Sequence, residues 1–449
     1  MGGFSSINTA LSALRYNQVA MDVASGNVAN VGTEGYVRRT VNAESVGAPS
    51  QAALWSRYEG AGDGVRVASV DRMADALLDI RARAEHGTQS YLDLRSTVLD
   101  RVESGIGEPG DNGVAAAMAD FRQGWHDLAN NPNSDAARSQ VLARAETLVA
   151  TVNSQARNID NESSDQAAKL QSIVVEVNTV AGDLASTNKN IAVAMLNGTD
   201  AGVLLDQRDQ LAMRLADLTG ATATIDDKGR MNVTLGGFSL VKEDQAHPLK
   251  AVTGGTPPQT TFSIGTDPVA LGQRGEAGAV ANLLNVTLPT YLTRLDAVVN
   301  ELVGQVNNLH KAGYDGKGET DKAFFSGAGA ATLKVEIDDI KDVATSSGSA
   351  GADGSIADQL GQPYAAEATY QQLVNGFGTD VASARRLAAN QGVLTAQIDG
   401  ARDQLGGVNL DEEMMKLMTH QRGYEAASRV ITTIDSVLDT LINRTGLLR

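Results

Sequence analysis

The chain contains no cysteine, few aromatic residues and no long apolar run. Because none of its 449 residues is Cys, disulfides, thiolate catalysis and Cys-type zinc sites are excluded. Aromatic residues make up only 4% of the chain, which is low for a compact enzyme. No run reaches the length of a membrane span, so we expect no membrane insertion. The formal net charge of −17 argues against nucleic acid as a partner, because phosphate binding needs a basic surface.

Motifs for catalysis or metal binding are also missing. The five histidines are scattered, and none belongs to an HExxH zinc motif. The sequence has no GxSxG nucleophile elbow and no Walker-type phosphate loop. Residues 315–321 have the acidic, glycine-rich composition of a cation loop without EF-hand spacing, so we interpret them as a turn. We therefore expect no enzyme activity, no catalytic residues, no cofactor and no metal.

Helical periodicity is the main positive signal. From residue 141 to residue 194 the apolar side chains keep one three-four register without proline, which predicts a helix of roughly 80 Å. A helix of this length needs other helices alongside to bury its stripe. Residues 288–309 keep the same register, and residues 370–405 follow it more weakly. Shorter helices are predicted over about 71–103 and 113–129.

Other stretches have the pattern of strands. Residues 37–70 alternate apolar and polar side chains, and residues 220–270 do so around a hairpin turn at 226–229. Residues 312–363 are rich in Gly, Ser and Asp, with one predicted strand at Leu333–Ile337. We predict a mainly α fold with inserted β structure. In it, both chain ends build a long antiparallel coiled-coil or helical-bundle rod, which carries a small β-rich domain.

The predicted domains follow from this pattern. Residues 1–36 and 406–449 form a discontinuous terminal coiled-coil domain that is disordered in the monomer. Residues 37–219, 277–311 and 364–405 form a helical rod domain with short β-hairpins. Residues 220–276 form the β-rich domain, and the irregular segment 312–363 either stands apart or belongs to it.

The two ends of the chain carry similar apolar seams. Over residues 4–28 and 410–441 the apolar side chains are spaced alternately three and four apart, as in coiled coils. An amphipathic helix usually packs on its own domain. Polar seam residues such as Gln18 and Gln421, and Gly423 within the last helix, instead favour helices that become ordered against a partner. The predicted assembly interface consists of Phe4, Ile7, Leu11, Leu14, Met21, Val28, Met414, Leu417, Tyr424, Ile431, Ile434, Leu438 and Leu441.

The sequence after the first helix is specific. Residues 25–38, SGNVANVGTEGYVR, resemble the signature found at this place in bacterial flagellar axial proteins. They depart from it at Gly26 and Gly32, where the family usually has Asn, and at Glu34, where it usually has Pro. Gly and Asn both tolerate left-handed backbone, so the first two changes can preserve the turn. The signature-turn residues are Asn27, Ala29, Asn30, Gly35 and Tyr36.

The other end and the middle extend the resemblance. Residues 407–413, with Asn409 as N-cap and Glu412 as its capping-box residue, are similar to the start of the axial C-terminal helix. Residues 204–211, LLDQRDQL, and residues 288–292 resemble the hook-associated protein 1 family.

The resemblance implies a structural protein of the flagellum. A ring of subunits would join the hook to the filament, outside the cell, after export from the cytoplasm through the flagellar type III apparatus without a cleaved signal peptide. The implied partners are other copies of the chain, the hook protein, the second junction protein (hook-associated protein 3) and an export chaperone that binds the C-terminal helix. The alternatives are a hook or distal-rod axial protein and, less favoured, a flagellum-associated cell-wall hydrolase.

Overall fold

The computed structural model describes residues 2–46, 64–349 and 353–440. Its helices are α1 (Gly2–Ala29), α2 (Ala76–Ile106), α3 (Val114–Asn130), α4 (Asp135–Asn197), α5 (Gly202–Thr219), α6 (Gly275–Asn282), α7 (Leu288–Ala312), α8 (Ser355–Leu360), α9 (Ala365–Gly406) and α10 (Leu410–Asp439). Its strands are β1 (Arg39–Ser45), β2 (Val65–Arg72), β3 (Thr222–Ile225), β4 (Met231–Leu235), β5 (Phe238–Lys242), β6 (Gln245–Ala246), β7 (Leu249–Gly254), β8 (Gln259–Ile264), β9 (Asp267–Val269), β10 (Phe325–Ser326) and β11 (Lys334–Val335). The predicted fold class, mainly α with inserted β structure, is confirmed. Within the described ranges, no helix has the length and apolarity needed to cross a membrane.

The first and last helices pack against each other within one chain. Asn27, near the end of α1, contacts Glu413, near the start of α10. Asn17, further back along α1, contacts His420, further along α10. Because the contacts follow each other in opposite order, the two helices are antiparallel. We refer to α1 and α10 together as the terminal pair.

Helix α4 is the longest element of the rod. Its 63 residues give a length of roughly 95 Å. The Ser134 hydroxyl accepts a hydrogen bond from the backbone N–H of Ala137 and caps its start, and Gly198 in a left-handed conformation ends it. The register predicted over 141–194 supplies its buried stripe, against which α3, α5, α6 and α7 pack.

Helices α2 and α9 form an antiparallel pair beside α5. Arg402 bonds to Asp79 at one end of the pair, at 2.9 Å, and Arg385 bonds to Asp100 further along, at 2.8 Å. Helix α2 begins at Ala76, so its predicted start near residue 71 is wrong. The reason is local: the Asp75 carboxylate caps the helix by accepting from two backbone N–H groups, and residues 71 and 72 still belong to β2.

Strands β1 and β2 form a two-stranded antiparallel hairpin, with Arg39 opposite Arg72. The backbone N–H of Val65 donates to the hydroxyl of Ser12 at 3.2 Å. The hairpin therefore contacts α1 on one side and leads into α2 on the other.

The β-rich region contains a four-stranded sheet, β3 to β6, and a three-stranded sheet, β7 to β9. Two asparagines of α4 form hydrogen bonds with the backbone of these sheets. The Asn188 amide exchanges two hydrogen bonds with the backbone of Met231, both 2.8 Å. Asn178 does the same with Leu249, at 2.9 and 2.7 Å. The β-rich region is thus packed on the second half of the long helix.

The irregular segment 312–363, of which residues 350–352 lie outside the described residues, packs elsewhere. Asn153 donates to the carbonyl of Leu333 at 3.1 Å, and Arg138 donates to the Thr345 hydroxyl at 3.1 Å. These contacts lie on the first third of α4. The segment therefore contacts α4 at a different place from the β-rich region. Its predicted strand over Leu333–Ile337 is shorter in the structure, where β11 has two residues.

Four large aromatic residues pack together in the rod core near this segment. Phe121, Trp125, Phe324 and Phe325 are fully buried. The ring centroids of Phe121 and Trp125 are 5.9 Å apart, and those of Phe324 and Phe325 are 4.8 Å apart. Both pairs are edge-to-face, which is a favourable ring geometry. This cluster holds α3 and the irregular segment together.

Candidate assembly site

Alanines, and not the predicted large apolar residues, form the most buried face of α1. Ala10, Ala20 and Ala24 are buried, and such small side chains allow close approach of neighbouring elements. The predicted residues Ile7, Leu14, Met21 and Val28 are half-buried, and Leu11 is 38% exposed. The side chain of Phe4 lies outside the described residues. The large apolar side chains of α1 thus keep surface that a single chain does not cover.

Helix α10 shows the same incomplete burial. Of its described residues only Glu413 and Ala427 are buried. The predicted Met414 is exposed, and Leu441 lies outside the described residues. The remaining predicted residues of this helix are half-buried: Leu417, Tyr424, Ile431, Ile434 and Leu438. Their surface is what an added neighbour could bury.

The middle of the terminal pair is in close contact. A ring nitrogen of His420 lies 3.1 Å from the Asn17 side-chain oxygen, and the rings of His420 and Tyr16 meet edge to face at 5.6 Å. A Cβ atom at Gly423 would lie 2.6 Å from the same Asn17 oxygen. Gly423 therefore allows the two helices to approach, in addition to lowering helix propensity.

A buried polar network fixes the base of the terminal pair. The fully buried amide of Asn27 donates to the Arg39 carbonyl at 2.9 Å and to the Glu413 carboxylate at 2.8 Å. Its oxygen accepts from the Tyr36 hydroxyl at 2.8 Å and from the Arg39 backbone N–H at 3.0 Å. All four bonds that an amide readily forms are present. Asn27 therefore joins α1, the signature turn, β1 and α10.

Glu413 is the acidic centre of this network. Its carboxylate accepts from Arg38 at 2.9 Å and from Lys416 at 3.0 Å, besides Asn27. Burial alone would raise the pKa of Glu413. The hydrogen bonds from Asn27, Lys416 and Arg38 outweigh burial and hold the pKa below its ordinary value. The residue is therefore a buried, satisfied carboxylate, and its role is structural.

The signature turn has its own local requirements. The Asn30 amide donates to the Gly26 carbonyl at 2.8 Å, which closes the end of α1. Gly35 has a φ of 73°, and a Cβ atom there would overlap the side chain of Gln210 on α5. Ala29 is exposed. The turn therefore needs glycine at position 35 for both backbone conformation and space.

A second polar cluster connects the hairpin to α5. Arg72 donates to Asp206 at 2.8 Å and to Asp209 at 2.9 Å, and Arg39 donates to Asp206 at 3.2 Å. Burial raises the pKa of Asp206 in spite of these arginines. Together with the 2.8 Å bond from the Arg38 N–H to the Gly406 carbonyl, this cluster fixes the terminal pair to the rod.

Sequence reasoning missed the partners in both clusters. The sequence predicts Asn27 only as a turn residue and Glu413 only as part of the C-terminal signature. They are 386 positions apart, and no local pattern relates residues so distant. The acidic residues of the LLDQRDQL stretch, Asp206 and Asp209, indicate only the family resemblance. The usable signal in the sequence is the pair Arg38 and Arg39 directly after the turn, because arginines in a chain of formal net charge −17 find carboxylate partners readily.

The ammonium group of Lys322 occupies the acidic loop at residues 315–321, the candidate cation loop. The Lys322 ammonium lies 2.7 Å from carboxylate oxygens of Asp315, Glu319 and Asp342. Hydrogen bonds to these carboxylates raise the pKa of Lys322. Within the described ranges, no three His, Asp or Glu side chains are grouped to hold a metal ion. The segment 315–321 is therefore a turn closed by a lysine of the same chain.

Comparison with known proteins gives matches along the chain. The family model for the flagellar hook-associated protein FlgK helical domain matches residues 99–325. A model for the flagella basal body rod protein matches residues 7–36, and one for the C-terminal part of the flagellar basal body rod FlgEFG proteins matches residues 406–444. The match over 7–36 covers most of α1, and the match over 406–444 contains all of α10.

Two curated relatives align over nearly the whole chain. The flagellar hook-associated protein 1 of Bacillus subtilis strain 168 is 26% identical over 499 aligned residues, which cover 99% of this chain and 98% of the relative. The protein of the same name from Escherichia coli K12 is 24% identical over 549 aligned residues, with 97% and 99% covered.

A solved structure is similar in fold. It is that of the flagellar hook junction protein FlgK from Burkholderia pseudomallei, with a TM-score of 0.50 and 22% identity. The superposition covers 55% of this chain and 46% of that chain.

Proposed function

Because this chain belongs to the family of the flagellar hook-associated protein FlgK, we propose that it is a structural subunit of the flagellum that joins the hook to the filament. In this proposal the subunits form a ring and are exported through the flagellar type III apparatus without a cleaved signal peptide. The role needs no catalysis.

The observation that carries the proposal is the incomplete burial of the terminal pair. Its large apolar side chains are half-buried or exposed, although they follow a coiled-coil register. Burial of such a side chain from full exposure contributes roughly 1.5–3 kcal/mol. A half-buried side chain can therefore gain about half of this when a neighbour covers it, before the cost of ordering. Neighbouring subunits can supply this burial by packing further helices around the pair.

The polar networks at the base of the pair support the same role. A subunit that assembles through its terminal helices needs those helices to be firmly attached to the rest of the chain. Here Asn27, Glu413 and Arg38 hold the two terminal helices to the hairpin, and Arg72 with Asp206 holds the hairpin to α5. We propose that residues 1–36 and 406–449 act as one assembly domain, and that its ordering is completed only among neighbours.

The proposed partners are the hook protein on one side and hook-associated protein 3 on the other, together with other copies of the chain. An export chaperone would bind α10 before assembly. The matches of both chain ends to basal body rod families support assembly with other axial proteins of the flagellum. They also favour the second candidate, a hook or distal-rod protein.

Electron microscopy of cells that lack the protein tests the proposal. The junction role predicts complete hooks without filaments, with unassembled filament protein in the medium. Cells that lack hooks as well would instead support the hook or distal-rod role. A truncated chain without residues 1–30 or 410–449 should keep a folded rod domain by circular dichroism but fail to restore filaments.

A further inference from the structure

Helix α2 contains a buried arginine that has no partner. Arg83 is 5% exposed, and within residues 2–46, 64–349 and 353–440 its guanidinium forms no ion pair and no hydrogen bond. Burial lowers the pKa of Arg83, and the charges of Asp209 and Asp79 oppose this effect. A buried charge without a partner is costly. Such a local conflict in a folded chain is expected at a functional site.

Other arginines hold the two carboxylates that act on Arg83. Asp209 accepts hydrogen bonds from two of them. Asp79 accepts from one, Arg402, at 2.9 Å. Asp79 and Arg83 are four positions apart on α2, so they lie on one helix face and within reach of each other. Asp79 is therefore the carboxylate that can change its partner to Arg83 with the smaller loss.

Arg402 has a second carboxylate close by. Its Nη1 atom lies 3.7 Å from Asp399, three positions earlier on α9. A ring nitrogen of His86 on α2 lies 3.0 Å from the same carboxylate, so Asp399 stays at the boundary between the two helices. Arg402 can therefore leave Asp79 and remain paired, and its departure allows Asp79 to pair with Arg83.

The continuous apolar core does not extend to these residues. It includes α2 residues from Tyr91 to Val102 and α9 residues from Ala366 to Ala384. Closer to the terminal pair, α2 and α9 are joined by polar contacts such as that of Gln391 with Glu85, at 2.7 Å. A close-packed core resists displacement, whereas partly exposed ion pairs are exchanged at small cost. The two helices can therefore shift here without disturbing the core.

The end of α9 is coupled directly to the terminal pair. The backbone carbonyl of Gly406, the last residue of α9, accepts from the Arg38 N–H at 2.8 Å. The Arg38 side chain in turn bonds to Glu413 of α10 at 2.9 Å. Arg402 lies about one turn before the end of α9. A change in the position of the terminal pair therefore moves Arg402 relative to Asp79.

From these contacts we infer an ion-pair exchange in the rod that responds to assembly. In the isolated chain Asp79 pairs with Arg402, and Arg83 has no partner. When neighbouring subunits order the terminal pair, the end of α9 shifts, Arg402 pairs with Asp399, and Asp79 pairs with Arg83. No proton is gained or lost, because arginine stays protonated in both states. The inference rests on the proposed function and adds to it a rod element whose state depends on assembly.

Each of the two states has one favourable contribution. The first keeps the 2.9 Å bond between Arg402 and Asp79, and the second removes the unpaired charge of Arg83. A partner shifts such an equilibrium only if it favours one state over the other. Neighbouring subunits do so by fixing the terminal pair in a position that draws Arg402 away from Asp79.

A double-mutant cycle on the purified chain tests whether Arg83 can take over Asp79. Arg402→Met should lower the melting temperature only slightly, because the released Asp79 then pairs with Arg83. Arg83→Met should raise the melting temperature, because it removes an unpaired buried charge. In the Arg83→Met background, Arg402→Met leaves Asp79 unpaired and should lower the melting temperature about twice as much or more. Equal effects of Arg402→Met in the two backgrounds would overturn the inference.

The Arg83→Met variant should also have an effect in cells. In cells that lack the protein, it should restore several-fold fewer filaments than the natural chain, although it is the more stable of the two. The matched control is Arg386→Met, because Arg386 is an exposed arginine of α9; it should change neither the melting temperature nor the number of filaments. Full restoration of filaments by Arg83→Met, or a lowered melting temperature of this variant, would overturn the inference.

Spin labels measure the shift of α9 directly. Because the natural chain has no cysteine, labels can be placed at Leu77→Cys on α2, where Leu77 is 77% exposed, and at Gln404→Cys on α9, where Gln404 is exposed. The distance between the labels is measured in the purified chain and in isolated flagella. Most copies in those flagella are the unlabelled natural chain, so only distances within one chain contribute.

The distance in flagella should differ from that in the purified chain by about 2 Å or more, as for a small helix shift. An unchanged distance would contradict the ion-pair exchange alone. The absence of the natural chain itself from isolated flagella would contradict the proposed function, and the inference with it.

Discussion

Replacement of Asn27 by alanine tests the polar network at the base of the terminal pair. The change removes the hydrogen bond to the charged, buried carboxylate of Glu413, which contributes about 1.5–3 kcal/mol. It also removes two bonds to the Arg39 backbone, of about 1 kcal/mol each. The Tyr36 hydroxyl is half-buried and can bond to water instead. Since these terms are not additive, we expect a loss of about 3 kcal/mol.

The loss should appear locally. Hydrogen exchange of the amides at the end of α1 and the start of α10 should become roughly 100-fold faster, because 1.4 kcal/mol corresponds to a factor of ten in the opening equilibrium. Amides in the middle of α4 should be unchanged. The matched control is Asn8→Ala, since Asn8 is exposed on the same helix. Equal exchange rates in the two variants would refute the assignment of a stabilising role to Asn27.

Three further predictions concern pH and the turn. Folding lowers the pKa of Glu413 from its ordinary 4.5. The carboxylate therefore stabilises the fold fully above pH 4.5, and this stabilisation is lost as the pH falls through the folded pKa. Amide protection in α10 should decline in this acid range, and Glu413→Gln should remove the dependence on pH. His310 is a buried residue of α7, and burial lowers its pKa from 6.5. The melting temperature of the rod should therefore decrease as the pH falls below 6.5. His310→Gln should flatten this slope, and an unchanged slope would contradict the buried neutral imidazole. Gly35→Ala should lower the free energy of unfolding by about 1–2 kcal/mol, because the φ of Gly35 is positive. Gly32 has open space around it, so Gly32→Ala should be nearly neutral. Equal losses of stability in the two variants would contradict the turn argument.

The long helices could be predicted from sequence because their stabilising contacts repeat at a short, regular spacing. The buried stripe of α4 follows the register that predicts it. The start of α2 could not be placed in the same way, because the capping carboxylate of Asp75 and the extension of β2 decide it locally. Element type is set by periodicity, whereas element ends are set by individual side-chain bonds.

The candidate site was predicted only in outline. Periodicity identifies large apolar residues such as Leu11 as the seam, but Ala10 and Ala24 recur at compatible helical positions and form the buried face. Their small size permits close packing, which a hydrophobicity pattern does not reveal. The bond between Asn27 and Glu413 joins the two ends of the chain, so it depends on the complete fold.

Methionine oxidation gives the most direct test of the central claim, that neighbouring subunits cover the terminal pair. Met414 and Met418 are exposed in the single chain, whereas Met118 is fully buried in the rod and serves as the slow reference. The purified monomer and intact flagella are treated with dilute peroxide, and sulfoxide is measured at each methionine by mass spectrometry. The account predicts rapid oxidation of Met414 and Met418 in the monomer and strong protection of both in flagella. Equal oxidation of these two residues in the monomer and in flagella would contradict it.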